Sequence, residues 1–438
     1  MAGQPSVTPA LPPLSLYVHF PWCVRKCPYC DFNSHALHGA LPADDYVDAL
    51  LRDLESQAGA AQGRVLQSVF FGGGTPSLFA PAALARLLAG VRESLVLADD
   101  VEITLEANPG TIERGRFADY RAAGINRVSL GAQSFDPVQL ERLGRIHSAA
   151  DTELAAQELH AAGLGNFNLD LMYGLPRQTL PQALADIDRA VALRPAHVSA
   201  YQLTLEPGTV FAGRPPDGLP DGDLCADMQL ACAQRLAEAQ YAQYEVSAYA
   251  SPGRRCRHNL NYWQFGDYLG IGAGAHGKCS RIADGQLLVG RSTRPREPRR
   301  YLAGLAATSP VPAGPGSGNP DVSAPPAIEW QAVPGADLPF EYLLNALRLN
   351  QGFEQHEFEA RTGLAMGAIA QPLDLALRRG LMETGGSQWR ASARGLHFLN
   401  DLLTLFLPAT RAAGSGAVSA AARLCAVQDF PAGTNAWP

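Results

Sequence analysis

Three cysteines fall within one short run, Cys23-Val-Arg-Lys-Cys27-Pro-Tyr-Cys30, and none follows until Cys225. That incompleteness constrains the chain more than any other feature. A closed structural zinc site takes four protein ligands, and an ordinary iron–sulfur cubane takes four thiolates. Three thiolates on one stretch leave a metal position open to a small molecule. Pro21 and Pro28 place the run in a loop rather than on a helix or strand face. Competing readings are a zinc site completed by His19 or His35, and three buried structural thiols. A disulfide is disfavoured, because the start of the chain has neither the basic residues nor the apolar run of a secretory signal. Eight cysteines in 438 residues then fit a cytoplasmic protein with a metal site.

The length allows about three domains, and a barrel takes roughly 200 to 250 residues as one unit. A hydrophobic content of 47% is that of a globular protein, and no apolar run approaches the roughly 18 residues of a bilayer span. No integral membrane segment is expected. A net charge of -7 argues against a broad phosphate-binding surface, and so against nucleic acid as a partner.

Apolar strand-like runs alternate with helical patterns, the signature of βα units on a parallel sheet. Strands are expected at 16–20, 68–71, 101–105, 127–130, 167–171 and 197–203, with helices at 45–58 and about 81–95. The fold class that follows is α/β, a partial (β/α)6 TIM-like barrel. In such barrels functional groups sit at the C-terminal ends of the strands. Here the cysteines follow the first strand, Gly72-Gly-Gly-Thr-Pro76 the second, Glu106 the third and Gln133 the fourth, and the fifth contains Asp170. Any one of these alone reads as a loop residue, a cap or a tight turn; five in register are hard to obtain from structural causes. Glycines let a backbone approach a ligand without Cβ interference. Glu106 can pair with a cationic group, and Arg145 can grip a carboxylate with its planar fork.

The C-x3-C-x2-C spacing resembles that of the radical S-adenosylmethionine (SAM) superfamily. In that superfamily three cysteines hold three irons of a [4Fe-4S] cluster, and the amino and carboxylate groups of SAM chelate the fourth. More specifically, Tyr17-Val-His-Phe-Pro-Trp-Cys23, Gly72-Gly-Gly-Thr-Pro76, Glu106-Ala-Asn-Pro109, Gly131-Ala-Gln-Ser-Phe135, Asp170-Leu-Met-Tyr-Gly-Leu-Pro176 and Glu206-Pro-Gly-Thr209 resemble the HemN/HemW family. This family contains the oxygen-independent coproporphyrinogen III oxidases and their haem-chaperone relatives, and the resemblance runs from about Leu14 to Pro408. It implies a cluster on Cys23, Cys27 and Cys30, and SAM contacts from Tyr17, Tyr29, Gly73, Gly74, Thr75, Glu106, Gln133, Arg145 and Asp170.

Two departures separate the chain from the oxidase branch. Oxidases carry a further cysteine two residues after the third ligand, where Phe32 stands here, and a long N-terminal extension, where sixteen residues precede Tyr17. Both match the chaperone (HemW) branch. Arg257-His-Asn-Leu-Asn-Tyr-Trp263 is similar to the H-N-x-x-Y-W motif of that branch, associated there with haem. The resemblance thus implies haem contacts from His258, Asn259, Tyr262 and Trp263. Imidazole is a standard axial ligand of haem iron, and the two aromatics offer flat apolar surface with a polar edge. On the residues alone, the same stretch reads as a histidine capping a turn beside two core aromatics. Cys256 lies upstream, but no C-x-x-C-H attachment sequence accompanies it.

The expected organisation is a flexible N-terminus (1–13), the barrel (14–255), a haem-motif and glycine-rich segment (256–290), a Pro/Gly-rich connection (291–338), a small, mostly helical, winged-helix-like domain (339–408) and a low-complexity tail (409–438). Arg291, Arg294, Arg296, Arg299 and Arg300 are expected on a solvated loop face. Together these readings give the expectation of a cytoplasmic haem chaperone that holds a SAM-chelated [4Fe-4S] cluster and passes haem to recipient proteins of the respiratory or haem-storage kind, as a monomer or a cluster-dependent dimer. The alternative is an oxygen-independent coproporphyrinogen III oxidase, and a third reading makes the metal structural zinc.

Overall fold

A strand of a parallel sheet needs cover on both faces, and Leu14–Phe20 (β1) is buried at every position, Ser15 and His19 included. The computed structural model describes residues 10–110, 115–306 and 329–408. Beside β1 lie Leu66–Gly73 (β2), Leu97–Ala107 (β3), Arg127–Gln133 (β4), Phe167–Tyr173 (β5) and His197–Gln202 (β6), in chain order and all parallel. Helices connect them, as parallel pairing requires. The helix Leu180–Ala192 buries Ala183, Asp186, Ile187 and Ala190, one stripe at helical spacing. The helix Ala149–Ala161 begins with a reciprocal cap, in which Asp151 accepts from the Ser148 N–H at 2.9 Å and Ser148 from the Asp151 N–H at 3.3 Å.

The sheet is open. Asp267–Ile271 adds parallel to the outer side of β1, followed antiparallel by His276–Ala283, Gln286–Thr293 and Glu329–Ala332, and the strands Ala242–Glu245 and Ala248–Ala250 add beyond β6, completing twelve strands. The strands Ala242–Glu245 and Ala248–Ala250 form a tight hairpin. Its turn is held by the Glu245 carboxylate, which accepts from the Ser247 N–H at 3.2 Å and its hydroxyl at 3.0 Å.

The stretch 291–338, read as an exposed connection, carries the end of the strand Gln286–Thr293, the helix Pro298–Ala306 and the strand Glu329–Ala332. Residues 307–328 lie outside the described residues, as do residues 1–9 and the tail 409–438. Nor do its arginines share one solvated face. Arg294 is buried against Asp53 at 3.0 Å and Arg291 pairs with Glu341 at 2.6 Å, whereas Arg296, Arg299 and Arg300 are exposed. Both partners are distant in sequence, so the charge run conceals them.

Beyond residue 337 a second core gathers Phe340, Leu343, Phe358, Leu373 and Leu402. The helices Leu338–Ala346, Gln355–Thr362 and Ala370–Arg378 pack with a small sheet of Phe353–Glu354, Gln388–Ala391 and Met382–Gly385. This domain meets the barrel through Arg348. Its guanidinium pairs with Glu245 at 3.0 Å and lies over the Trp263 ring at 4.3 Å.

Candidate functional site

The short parallel pair Trp22–Cys23 and His35–Ala36 brackets the cysteine loop. Inside it the Cys30 N–H donates to the Cys27 carbonyl at 3.2 Å, closing a turn over Pro28 and Tyr29. All three cysteines line one cavity of about 310 Å³ at the C-terminal ends of the strands, a volume at the low end of the roughly 300–1,000 Å³ typical of ligand sites. Burial pushes the Cys23 thiol up and the Cys30 thiol up to about 12. Metal binding to such thiols must release protons. Arg145 Nη1 stands 3.7 Å from Cys27 Sγ and brings a fixed positive charge to the loop.

After β2 the backbone tolerates only glycine. At Gly73 φ is +115°, and an added Cβ would lie 2.6 Å from the His19 ring; at Gly74 it would lie 2.5 Å from the Trp22 carbonyl oxygen. The Gly73 N–H donates to Glu106 Oε2 at 3.0 Å, tying β2 to β3. Thr75 Oγ1 accepts from Asn108 Nδ2 at 3.1 Å. Asn108 Oδ1 accepts in turn from Arg145 Nη2, which also donates to the Gly131 carbonyl at 2.9 Å. Gln133 sits at φ +66°, a strained position for a side chain with a Cβ, and its Oε1 accepts from the Tyr201 hydroxyl at 2.8 Å. Asp170 accepts from Ser129 Oγ at 3.1 Å and Asn168 Nδ2 at 2.8 Å. Burial, then the nearby Asp170 charge, push the Glu106 carboxyl well above the usual carboxylate range, and burial raises Asp170. A cation entering the cavity would relieve both.

Of the residues singled out in the sequence, Cys23, Tyr29, Cys27, Cys30, Gly73, Gly74, Thr75, Glu106, Gln133, Arg145, Asp170, Asn259 and Trp263 line this one cavity. Tyr17, His258 and Tyr262 are not among its lining residues. Tyr17 and His19 share one face of β1, since side chains two apart point the same way; His19, nearer the strand's C-terminal end, reaches the cavity instead. Its Nε2–H donates to the Asn33 carbonyl at 2.8 Å, which leaves Nδ1 to accept from the Tyr17 hydroxyl at 2.7 Å. His258 is 3% exposed, with Nδ1 3.2 Å from Glu102 Oε1. Tyr262 packs edge-on against Tyr268 with ring centroids 4.9 Å apart. Sequence reasoning passed over Asn108, although it lies within Glu106-Ala-Asn-Pro109. It also passed over Leu344 and Arg348, which bring the C-terminal domain into the cavity wall and carry no local signal.

The family model of the radical SAM superfamily matches residues 17–190, and that of the HemN C-terminal domain matches residues 333–398. The heme chaperone HemW of Escherichia coli (strain K12) is 50% identical over 397 residues, covering 91% of this chain and 99% of that protein. The heme chaperone HemW of Haemophilus influenzae is 46% identical over 403 residues, with 91% and 99% covered. Among solved structures, the radical SAM enzyme coproporphyrinogen III oxidase (HemN) of Escherichia coli aligns with a TM-score of 0.73 over 90% of each chain at 23% identity. That likeness is one of fold: an open radical SAM barrel with a C-terminal domain.

Proposed function

The chain belongs to the family of the HemW heme chaperones, within the radical SAM superfamily, and from that membership we propose that it binds haem and delivers it to recipient proteins. Cys23, Cys27 and Cys30 would hold the [4Fe-4S] cluster. One-electron chemistry toward a chelated SAM is what such a centre supplies when bound. Gly73, Gly74 and Thr75 would receive the methionyl end, with Glu106 beside its ammonium and Arg145 beside its carboxylate. Gln133 and Asp170 would take the ribose hydroxyls, Tyr29 closes the loop side, and Tyr17 acts from below by orienting His19.

The observation that carries the reading is that one cavity joins the cysteine loop to Asn259 and Trp263 of the haem motif and to Arg348 of the C-terminal domain. Trp263 offers an aromatic surface for a porphyrin. His258 and Tyr262 hold the helix that bears it, and axial ligation by His258 would require that helix to lift from the barrel. No helix among the described residues is long and apolar enough to cross a membrane. We place the protein in the cytoplasm, where free thiols persist, with respiratory or haem-storage proteins as recipients.

Anaerobic reconstitution with iron and sulfide, followed by haem titration and addition of an apo-recipient, tests this. Stable haem binding, transfer to the recipient and no turnover of coproporphyrinogen III are expected, with Trp263→Ala weakening haem binding. Multiple turnover to protoporphyrinogen with weak haem binding would make the protein an oxidase instead. Size-exclusion of the same samples decides between a monomer and a cluster-dependent dimer.

A further inference from the structure

β4 does not run regularly into the cavity. Leu130 pairs with Leu169 and Gln133 with Leu171, so Gly131 and Ala132 together oppose Asp170, a bulge that re-aims the residue after it. Gln133 follows at φ +66°. Beyond it the chain is pinned by the buried Asp186 carboxylate, which accepts from Ser134 Oγ and the Phe135 N–H, each at 2.7 Å. The backbone therefore fixes where the Gln133 side chain starts, but leaves its amide free to turn over. We propose that Tyr201 removes that freedom: it is a positioning residue whose phenol holds the Gln133 amide with its donor end toward bound SAM. The proposal rests on the reading of the cavity as a SAM site.

The hydrogen bonds around the amide carry the inference. The Tyr201 hydroxyl donates to Gln133 Oε1 at 2.8 Å. Holding the carbonyl end of a planar amide also fixes the Nε2 end, which carries two donors. Nε2 has no hydrogen-bond partner among the described residues. It lies on the cavity wall beside Arg145, since a Cβ built on Gly131 would stand 3.0 Å from Gln133 Nε2 and 3.3 Å from Arg145 Nη2. That Arg145 nitrogen already donates to Asn108 Oδ1 and to the Gly131 carbonyl. The donor still unused at this point of the wall is therefore the Gln133 amide, and a ribose hydroxyl oxygen is a fitting acceptor for it.

Tyr201 is itself held rigidly. It stands on β6 opposite Met172 of β5, is 6% exposed, and belongs to an apolar cluster with Leu143, Met172, Leu175, Leu203 and Phe211. Tyr29 of the cysteine loop packs against the same cluster. A ring packed in this way keeps one orientation, so the amide follows the phenol rather than the reverse. Phenylalanine would fill the same volume and delete only the hydroxyl, which separates the hydrogen bond from the packing.

The test is SAM affinity, by equilibrium dialysis on the cluster-reconstituted full chain, in a cycle of wild type, Tyr201→Phe, Gln133→Ala and the double variant. Tyr201→Phe is expected to keep wild-type iron and sulfide content and to bind SAM about 3- to 10-fold more weakly. In the Gln133→Ala background the same change is expected to have no further effect, because the residue through which Tyr201 acts is gone. The change that SAM produces in the electron paramagnetic resonance of the reduced cluster should require correspondingly more SAM in Tyr201→Phe. Wild-type affinity in Tyr201→Phe would overturn the inference. So would an undiminished loss in the Gln133→Ala background, which would make Tyr201 a direct contact, or loss of the cluster, which would make it a support of the cysteine loop. Wild-type protein that binds no SAM would overturn the reading of the cavity, and this inference with it.

Discussion

The imidazole of His258 lies flat on the ring of Phe70, with centroids 4.0 Å apart and planes 10° from parallel. The opposite demands of packing and ligation therefore meet in one residue of the haem motif. His258→Ala is expected to cost about 3–5 kcal/mol of stability, because it empties a stacked core position and removes a partner from buried Glu102. Chemical denaturation measures this. The haem complex of the variant should keep the wild-type Soret position; a displaced band at unchanged stability would put His258 on the iron.

Glu102 makes the strength of this buried group depend on pH. Burial alone would raise its carboxyl, but the hydrogen bond from His258 and the charge of Arg127 hold it down at about 2, against an ordinary value of 4.5. Burial also lowers the His258 imidazole, so at neutral pH it donates as a neutral ring. A depressed carboxyl stabilises the fold above its unfolded pKa, and that contribution is lost as pH falls from 4.5 through 2. The gap corresponds to about 3 kcal/mol. Urea unfolding of the wild type and Glu102→Gln should differ by about that amount at pH 7 and converge toward pH 2. Curves that stay parallel across this range would show that the carboxylate is not the source.

Two glycines give opposite forecasts. A Cβ at Gly74 meets backbone, the Trp22 carbonyl oxygen at 2.5 Å, whereas one at Gly90 meets only the movable Leu51 Cδ2. Gly74→Ala must displace the strand end that leads into Cys23, and it should reduce iron and sulfide retained after reconstitution by half or more. Gly90→Ala should retain the full cluster and change stability by no more than about 1 kcal/mol. Equal cluster content in the two variants would contradict the geometry.

Sequence disclosed the six parallel strands because strands buried on both faces read as largely apolar runs, even with Ser15, Glu102 or Asp170 among them. It also disclosed which residues stand at their ends. Depth was hidden. Tyr17 and His19 occupy one face, and only the end of β1 at Phe20 decides that His19 reaches the cavity. His258 looked available as a ligand because its partners Phe70 and Glu102 lie far away along the chain. Arg294 and Arg348 were equally opaque, since a buried ion pair leaves no local pattern when Asp53 and Glu245 are so distant.

Arg145 touches three parts of the cavity wall at once: Cys27 Sγ at 3.7 Å, the Gly131 carbonyl at 2.9 Å and the side chain of Asn108. Only a planar fork serves all three, because a lysine ammonium is a single point on a flexible stem. Arg145→Lys keeps the positive charge beside the cysteine loop, so cluster content should stay near wild type. The geometry that would face the SAM carboxylate is lost, and SAM affinity should fall about 10- to 100-fold, or about 1.4–2.8 kcal/mol. Equilibrium dialysis gives the affinity, and the electron paramagnetic resonance of the reduced cluster gives an independent reading through its change on adding SAM. Wild-type affinity in a cluster-loaded Arg145→Lys sample would move the carboxylate partner to another residue. Loss of the cluster itself would instead make Arg145 a structural support of Cys27.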